Sequence, residues 1–269
     1  MSVEATTRVS VDVVEHVAEV ALRRPEKHNA LDRSMFDALS DAIDEVAATP
    51  AARVVVLRGE GPSFCSGLDF PSFIAAGSSP DELFVRRPGE PANLAQRVTH
   101  GWRALMVPVI AAVHGACFGG GFQIALGADI RIGAPDARLS AMEIDYGLVP
   151  DMGISQTLPR LVRDDRAREL LYTGRIIDAA EAAEVGLLTR PADDPLTAAR
   201  ALAAAIAARS PDAVRAAKRL ANEAFWAGPE RGLALEEELQ RGLLGSPNQI
   251  AAVTAKLGGG PAEFADPGA

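Results

Sequence analysis

The 269-residue chain is poor in cysteine, in aromatic residues and in long apolar runs, and the first and last of these shortages each exclude a class of protein. Two cysteines, Cys65 and Cys117, give neither a disulfide framework nor metal-ligand spacing, so we expect buried thiols in a reducing, cytoplasmic compartment. No apolar run approaches the roughly 20 residues of a membrane span. The amino terminus lacks a basic segment followed by an apolar one, so no signal peptide is expected.

Charge and motif content narrow the possible ligands. The net charge of −9 disfavours nucleic acid and anionic membranes as partners. The four histidines are scattered without ligand spacing, so no metal is expected. Neither a Walker loop nor a dinucleotide-binding glycine pattern is present, and we expect no bound cofactor.

The first part of the chain alternates short β-rich runs with helical segments. Two apolar alternating runs flank Glu15 and His16 and predict a β-hairpin. Apolar spacing predicts a helix over Ser34 to Ala48, and RVVVLRG and VPVIAAVHG read as buried strands, with a helix over Asn93 to Met106 between them. This alternation favours an α/β fold with parallel pairing.

Three further segments differ in character. Pro71 to Pro91 is rich in proline, glycine and serine, which predicts a long loop or lid. From Asp164 onward the periodicity is helical. We therefore divide the chain into a core over 1–163, a helical region over 164–257 and a disordered tail over 258–269.

Two glycine-bearing turns, each following a buried strand, carry the functional signal. One contains Ser66, Gly67 and Leu68, and the other is the cluster Gly119 to Gly121. Backbone N–H groups in such turns lack ladder partners and must be satisfied by something else. An ordinary water-exposed turn explains either one alone, whereas two together predict donors that converge on one oxygen atom.

Four segments, in order along the chain, resemble the crotonase superfamily of enoyl-CoA hydratases and isomerases. The likeness extends to about Leu257. It implies a crotonase-like spiral of repeated ββα units, a C-terminal trimerisation region giving a trimer or a pair of trimers, and an acyl-CoA thioester substrate. The segments are RPEKHNALD (24–32), SFCSGLDF (63–70), AAVHGACFGGGFQIALGADIRI (111–132) and MEIDYGLVPDMG (142–153).

The resemblance also implies roles for particular residues. The backbone N–H groups of Leu68 and Gly120 would bind the thioester oxygen. Lys27 and His28 would lie where the backbone meets the CoA chain, and Lys256 near the phosphate of a neighbouring subunit's ligand. The substrate-binding residues expected from these motifs are Lys27, His28, Ser66, Gly67, Asp69, Gln123 and Lys256.

The acidic positions bear on the reaction. Hydratases of the family use two glutamates, and the matching positions here hold Gln123 and, 20 residues later, Glu143. Glutamine cannot carry a proton as a carboxylate does. We therefore expect Glu143 to be the principal proton carrier, with Gln123 holding water or a substrate group.

Asp151 lies eight residues after Glu143, in a segment that resembles the acid pair of dienoyl-CoA isomerases. It has two open interpretations, a second proton carrier or the N-cap of a helix beginning near Met152. The first favours double-bond isomerisation. Hydration is the alternative reaction, and a non-catalytic acyl-CoA-binding protein is the alternative class.

Overall fold

A computed structural model describes residues 7–77 and 80–267 of the chain. Positions 1–6, 78–79 and 268–269, which include parts of the expected lid and tail, lie outside the described residues. Nine strands are described: β1 (Val9–Val14), β2 (Val17–Leu22), β3 (Val54–Gly59), β4 (Val109–Val113), β5 (Ala116–Phe118), β6 (Ile130–Gly133), β7 (Arg138–Ser140), β8 (Ile177–Asp178) and β9 (Arg190–Pro191).

Eleven α-helices and several short 3₁₀ helices connect the described strands. The α-helices are α1 (Arg33–Ala47), α2 (Phe70–Ala76), α3 (Leu94–Ala104), α4 (Gly120–Gly127), α5 (Ile154–Thr157), α6 (Asp164–Thr173), α7 (Ala179–Glu184), α8 (Pro195–Ala207), α9 (Pro211–Glu223), α10 (Pro229–Leu243) and α11 (Pro247–Gly258).

The strands form two sheets, and the chain passes between them repeatedly. The larger sheet has the order β1-β2-β3-β4-β6-β9, and the smaller has the order β5-β7-β8. Strands β2, β3, β4, β6 and β9 pair in parallel. Thus β4 and β6 each feed a short strand of the second sheet, β5 and β7, before a helix follows. This is the expected spiral of ββα units.

Local sequence explains where the first elements begin. The β1–β2 hairpin turns at Glu15 and His16, both at positive φ, which matches the twist of the flanking strands. Asp32 starts α1 by accepting from Met35 N at 2.8 Å. Asn93 and Gln96 form a capping box at the start of α3. The hairpin and both helices lie where the sequence predicted them.

The core is apolar on both faces of the large sheet. Helices α1 and α3 contact each other and cover one face, where Phe36 and Trp102 are fully buried. On the other face, α8 packs against the sheet through Ala199, Ala203 and Ala207. Strands buried on both faces read as continuous apolar runs, as β3 and β4 do.

The predicted loop over 71–91 is partly wrong, because α2 occupies Phe70–Ala76 and a 3₁₀ helix occupies Pro80–Phe84. Proline suggested a break, but Pro71 lies in the first turn of α2, where its missing N–H costs nothing. Ion pairs from Arg33 to Glu82 and from Arg87 to Asp44 tie the following segment to α1.

The C-terminal part also departs from expectation. Strand β8 belongs to the smaller sheet and β9 to the larger one. The region after 164 therefore contributes strands to both sheets as well as adding helices. The expected disordered tail is hydrogen-bonded to the body within the described residues. Arg53, which is buried, donates to Asp266 at 2.7 Å and to the Phe264 carbonyl at 2.8 Å. A buried guanidinium needs such acceptors, and this requirement orders the tail.

Candidate active site

The two glycine-bearing turns lie side by side at the ends of neighbouring segments. Cys65 donates its N–H to the Ala116 carbonyl, and the Cys65 carbonyl accepts from Phe118 N, both at 3.0 Å. Gly67 has a φ of 92°, and a Cβ at that position would lie 2.9 Å from the Phe118 carbonyl oxygen. Only glycine suits this backbone conformation and this closeness.

Each of the two turns holds one backbone N–H group that lacks a partner. Within 7–77 and 80–267, the N–H groups of Leu68 and Gly120 have no hydrogen-bond acceptor. A Cβ on Gly67 would lie 3.6 Å from Gly120 N, so the two turns are in contact. Gly120 is the first residue of α4, where the helix dipole adds partial positive charge. Together these donors can bind an oxygen that carries negative charge.

Glu143 faces this pair of turns from a 3₁₀ helix, Met142–Tyr146. Its Oε1 lies 3.6 Å from the position of a Cβ on Gly119. Its Oε2 is buried and has no hydrogen-bond partner among the described residues. Burial raises the pKa of Glu143, and the nearby charge of Asp151 raises it further. A carboxyl group with a raised pKa takes up a proton more readily than one in water, as a general acid or base requires.

Gln123, which was expected to hold water or a substrate group, is bonded to protein groups. Its side chain is fully buried, its Nε2 donates to Glu143 Oε1 at 2.6 Å, and its Oε1 accepts from Met152 N at 2.8 Å. Both ends of the amide are therefore bonded to protein groups. Gln123 therefore contacts both Glu143 and the backbone of Met152.

Asp151 lies near Glu143 but does not cap a helix. The helix that follows, α5, begins at Ile154, and its N-cap is Gly153 without a side-chain capping bond. Asp151 makes no side-chain hydrogen bond to another described residue, and partial burial of its carboxyl raises its pKa. The capping interpretation is wrong, because Asp151 lies too early in the chain to reach the first turn of α5.

Asp69 was expected to bind substrate, but its carboxylate is used structurally. It accepts from Ser72 N at 3.1 Å and from Ser72 Oγ at 2.5 Å at the start of α2. It also pairs with the buried Arg24 at 2.8 Å. Arg24 is thereby withdrawn from the surface.

The remaining expected contacts divide into two groups. Lys27 and His28 are exposed beside the first turn, where the His28 carbonyl accepts from Ser66 N at 2.9 Å. The Ser66 hydroxyl points to the Lys27 carbonyl at 3.4 Å. Lys256 lies exposed on α11, which packs against α9, and no described contact joins it to the turns of the same chain.

An apolar surface that the sequence reading did not single out adjoins the acids. Four exposed apolar residues follow Glu143 directly. One of them, Tyr146, stacks against Phe70 with ring centroids 4.8 Å apart, which joins the acid segment to the start of α2. The closely spaced apolar residues after Glu143 are the sequence signal that could have indicated this surface. They are Ile144, Tyr146, Leu148 and Val149.

The described residues contain no group of three or more histidine, cysteine, aspartate or glutamate side chains arranged to hold a metal ion. Among the helices that the structure describes, none is long and apolar enough to cross a membrane. The described site brings together backbone donors, two acids and an apolar surface.

This combination of a ββα spiral with paired glycine turns and a buried acid defines a crotonase-type protein. A sequence profile described as enoyl-CoA hydratase/isomerase matches residues 12–252. The Bacillus subtilis protein YngF, named provisionally as an enoyl-CoA hydratase/isomerase, is 38% identical over 228 residues, covering 83% of this chain and 85% of that protein. The chain therefore belongs to the enoyl-CoA hydratase/isomerase family of the crotonase superfamily.

Other relatives agree with this assignment. The crotonyl-CoA hydratase of Syntrophomonas wolfei is 32% identical over 237 residues, covering 87% of this chain and 88% of that protein. The crystal structure of an enoyl-CoA hydratase from Bacillus anthracis superposes with a TM-score of 0.87 at 29% identity, covering 96% of this chain and 98% of the other. The chain is thus similar to these proteins along nearly its whole length.

Proposed function

We propose that the protein is an acyl-CoA enzyme that stabilises a thioester enolate and isomerises the double bond of an enoyl-CoA or dienoyl-CoA. The observation that carries the proposal is the position of Glu143. Its unpartnered Oε2 lies in a buried setting beside the turns that hold the free N–H groups of Leu68 and Gly120. A base beside two oxyanion donors suits proton removal next to a carbonyl.

In this mechanism, the thioester oxygen accepts hydrogen bonds from Leu68 N and Gly120 N. Glu143 Oε2 removes a proton from the carbon next to the carbonyl, and the electron pair moves onto the oxygen as the double bond shifts. A proton is then returned to the remote carbon, so that the substrate gains and loses one proton in total. Asp151 lies close enough to Glu143 for its charge to act on that carboxyl, and we assign this delivery to it. The proton taken up by Glu143 passes back to Asp151 after the reaction, which restores both groups.

Hydration is the alternative reaction. It requires a positioned water, which two carboxylates hold in the family's hydratases. The amide of Gln123 is bonded at both ends to protein, so it supplies no second acid to that water. This favours isomerisation, with Glu143-mediated hydration as the second candidate.

The family's substrate class guides the remaining assignments. We infer that the CoA chain passes the exposed backbone of Lys27 and His28, beside Ser66 and Gly67. We also infer a homotrimer or a pair of trimers, in which Lys256 contacts the CoA phosphate of a neighbouring subunit. The acyl chain would lie along the apolar surface that begins at Ile144.

A substrate panel tests the proposal. The purified protein is given a trans-2-enoyl-CoA, a 3-enoyl-CoA and a 3,5-dienoyl-CoA, and products are separated by chromatography. If the protein is an isomerase, the double bond of the 3-enoyl-CoA or the 3,5-dienoyl-CoA should shift, and no water should be added to the substrate. A 3-hydroxyacyl-CoA as the main product would replace the proposal with hydration. Binding of all three without turnover would indicate a non-catalytic acyl-CoA-binding protein.

A further inference from the structure

The hydrogen bonds of Gln123 determine which way its amide faces. Met152 N–H can only donate, so the group 2.8 Å from it must be the amide oxygen of Gln123. The amide nitrogen must then face Glu143 Oε1, 2.6 Å away. Because Gln123 is fully buried, solvent offers neither end another partner. The orientation therefore follows from donor and acceptor chemistry alone.

This orientation makes the two oxygens of Glu143 inequivalent. Oε1 always accepts from the Gln123 amide, in both protonation states of Glu143. When Glu143 takes up a proton, that proton must reside on Oε2, which is the unpartnered oxygen. A glutamate in place of Gln123 would share protons with Glu143 and remove this distinction.

The same amide also connects the segments that carry the two acids. Met152, whose N–H donates to the amide oxygen of Gln123, directly follows Asp151 in the chain. Glu143 belongs to the preceding 3₁₀ helix. One buried side chain on α4 thus bonds to both. Since α4 begins at Gly120, the amide also fixes both acids relative to an oxyanion donor.

We propose that Gln123 is a positioning residue that makes Glu143 a one-oxygen proton carrier and holds the Asp151 segment at a fixed distance from it. The inference rests on the proposed function for the reaction that the acids perform. It deepens that function, because Gln123 stands where the hydratases have an acid. Here that residue instead fixes the positions of Glu143 and Asp151 relative to each other.

The test compares Gln123→Met with a matched control, Gln156→Met. Gln156 is an exposed residue of α5, and within the described part of the chain its side chain bonds only to neighbouring Ser155. The carboxyl carbon (Cδ) of Glu143 is followed by ¹³C NMR across pH in the absence of substrate. Its signal is assigned by its loss in Glu143→Gln. Loss of the Gln123 hydrogen bond, which favours the carboxylate, should raise the pKa of Glu143 in Gln123→Met only.

Kinetics provide the second measurement. We expect kcat of Gln123→Met to fall about 10- to 100-fold, as misplaced catalytic groups typically cause, with KM nearly unchanged and the pH profile displaced upward. Gln123→Glu, when it carries a proton, can still donate to Glu143. It should therefore recover activity toward low pH, where the pair holds at least one proton.

An unchanged pKa of Glu143 in Gln123→Met would overturn the inference, whether or not the protein is an isomerase. Should that variant fail to fold, the NMR signals of the Gln123 side-chain amide are followed across pH in the wild type instead. They must titrate together with Glu143, and a pH-independent signal would equally overturn the inference. If instead the pKa moves as expected while the wild type shifts no double bond, the proposed function fails and the positioning role stands.

Discussion

Cys65 and Cys117 are partners in a parallel β-bridge, and each lies three residues before one of the free backbone donors, Leu68 and Gly120. Equal offsets from a paired position bring the two donors to the same level at the edge of the smaller sheet. The register of this bridge therefore explains why two turns that are far apart in sequence converge. The two buried cysteines thus form the paired position from which both turns of the candidate oxyanion site continue.

The first prediction concerns these thiols. Both are fully buried, and burial raises the pKa of Cys65 to about 12 and that of Cys117 well above its ordinary value. Because the thiolate is the reactive form, neither should react with a disulfide reagent such as dithionitrobenzoate in the native protein at pH 8. Two thiols should react in denaturant. Rapid labelling of the native protein would show that the bridge opens.

The second prediction is that Glu143→Gln retains acyl-CoA binding but loses most turnover. Glutamine preserves the shape and can still accept from the Gln123 amide, yet it transfers no proton. Calorimetric titration with a saturated acyl-CoA should give a dissociation constant close to that of the wild type. Near-normal turnover in the purified variant would exclude Glu143 as the proton carrier.

The same substitution predicts a pH dependence of stability. The pKa of Glu143 is raised on folding above its ordinary 4.5, so the folded state binds this proton more tightly than the unfolded state. The wild type therefore loses stability from this group as pH rises through and beyond 4.5. Glu143→Gln should gain in relative unfolding free energy between pH 4 and 7, as measured by urea denaturation. A difference that is flat or shrinks with pH would contradict this.

The fourth prediction separates chemistry from capping at Asp151. Since Asp151 caps no helix, Asp151→Ala should change the unfolding free energy by no more than about 0.5 kcal/mol, as at ordinary surface sites. Asp151→Asn should reduce isomerisation strongly if this acid serves the remote carbon. The matched control is Asp178→Ala, because Asp178 does cap α7 by accepting from Glu181 N at 2.9 Å.

The Asp178 control should lose about 0.5–2 kcal/mol of stability with normal turnover per folded molecule. Full activity of Asp151→Asn on every enoyl-CoA and dienoyl-CoA would leave Glu143 as the single proton carrier. If Asp151→Ala loses as much stability as the control, Asp151 has a structural role that its observed contacts do not explain.

Sequence patterns sufficed for features that depend on local chemistry. The hairpin at Glu15 and His16 and the helix after Asp32 follow from turn and cap signals. What failed depends on distant partners. The tail is ordered by Arg53, which lies more than 200 residues earlier, and the roles of Asp69 and Gln123 depend on Arg24 and Met152.

The last prediction concerns the space around Gly120. A Cβ there would lie 2.7 Å from Leu31 Cδ1 and 2.9 Å from Met152 Sδ, so both neighbours must shift. Movement of Met152 would disturb the bond from its N–H to Gln123, and movement of Gly120 would misplace a donor to the thioester oxygen. We expect Gly120→Ala to reduce turnover by about 10²–10³, the typical cost of one oxyanion donor. Gly242→Ala is the control, because its added Cβ on helix α10 meets no atom of the described residues within 4 Å. That variant should gain up to about 1 kcal/mol of stability and keep full activity, since alanine is the better helix former. Equal turnover in the two variants would mean that Gly120 N does not bind the thioester oxygen.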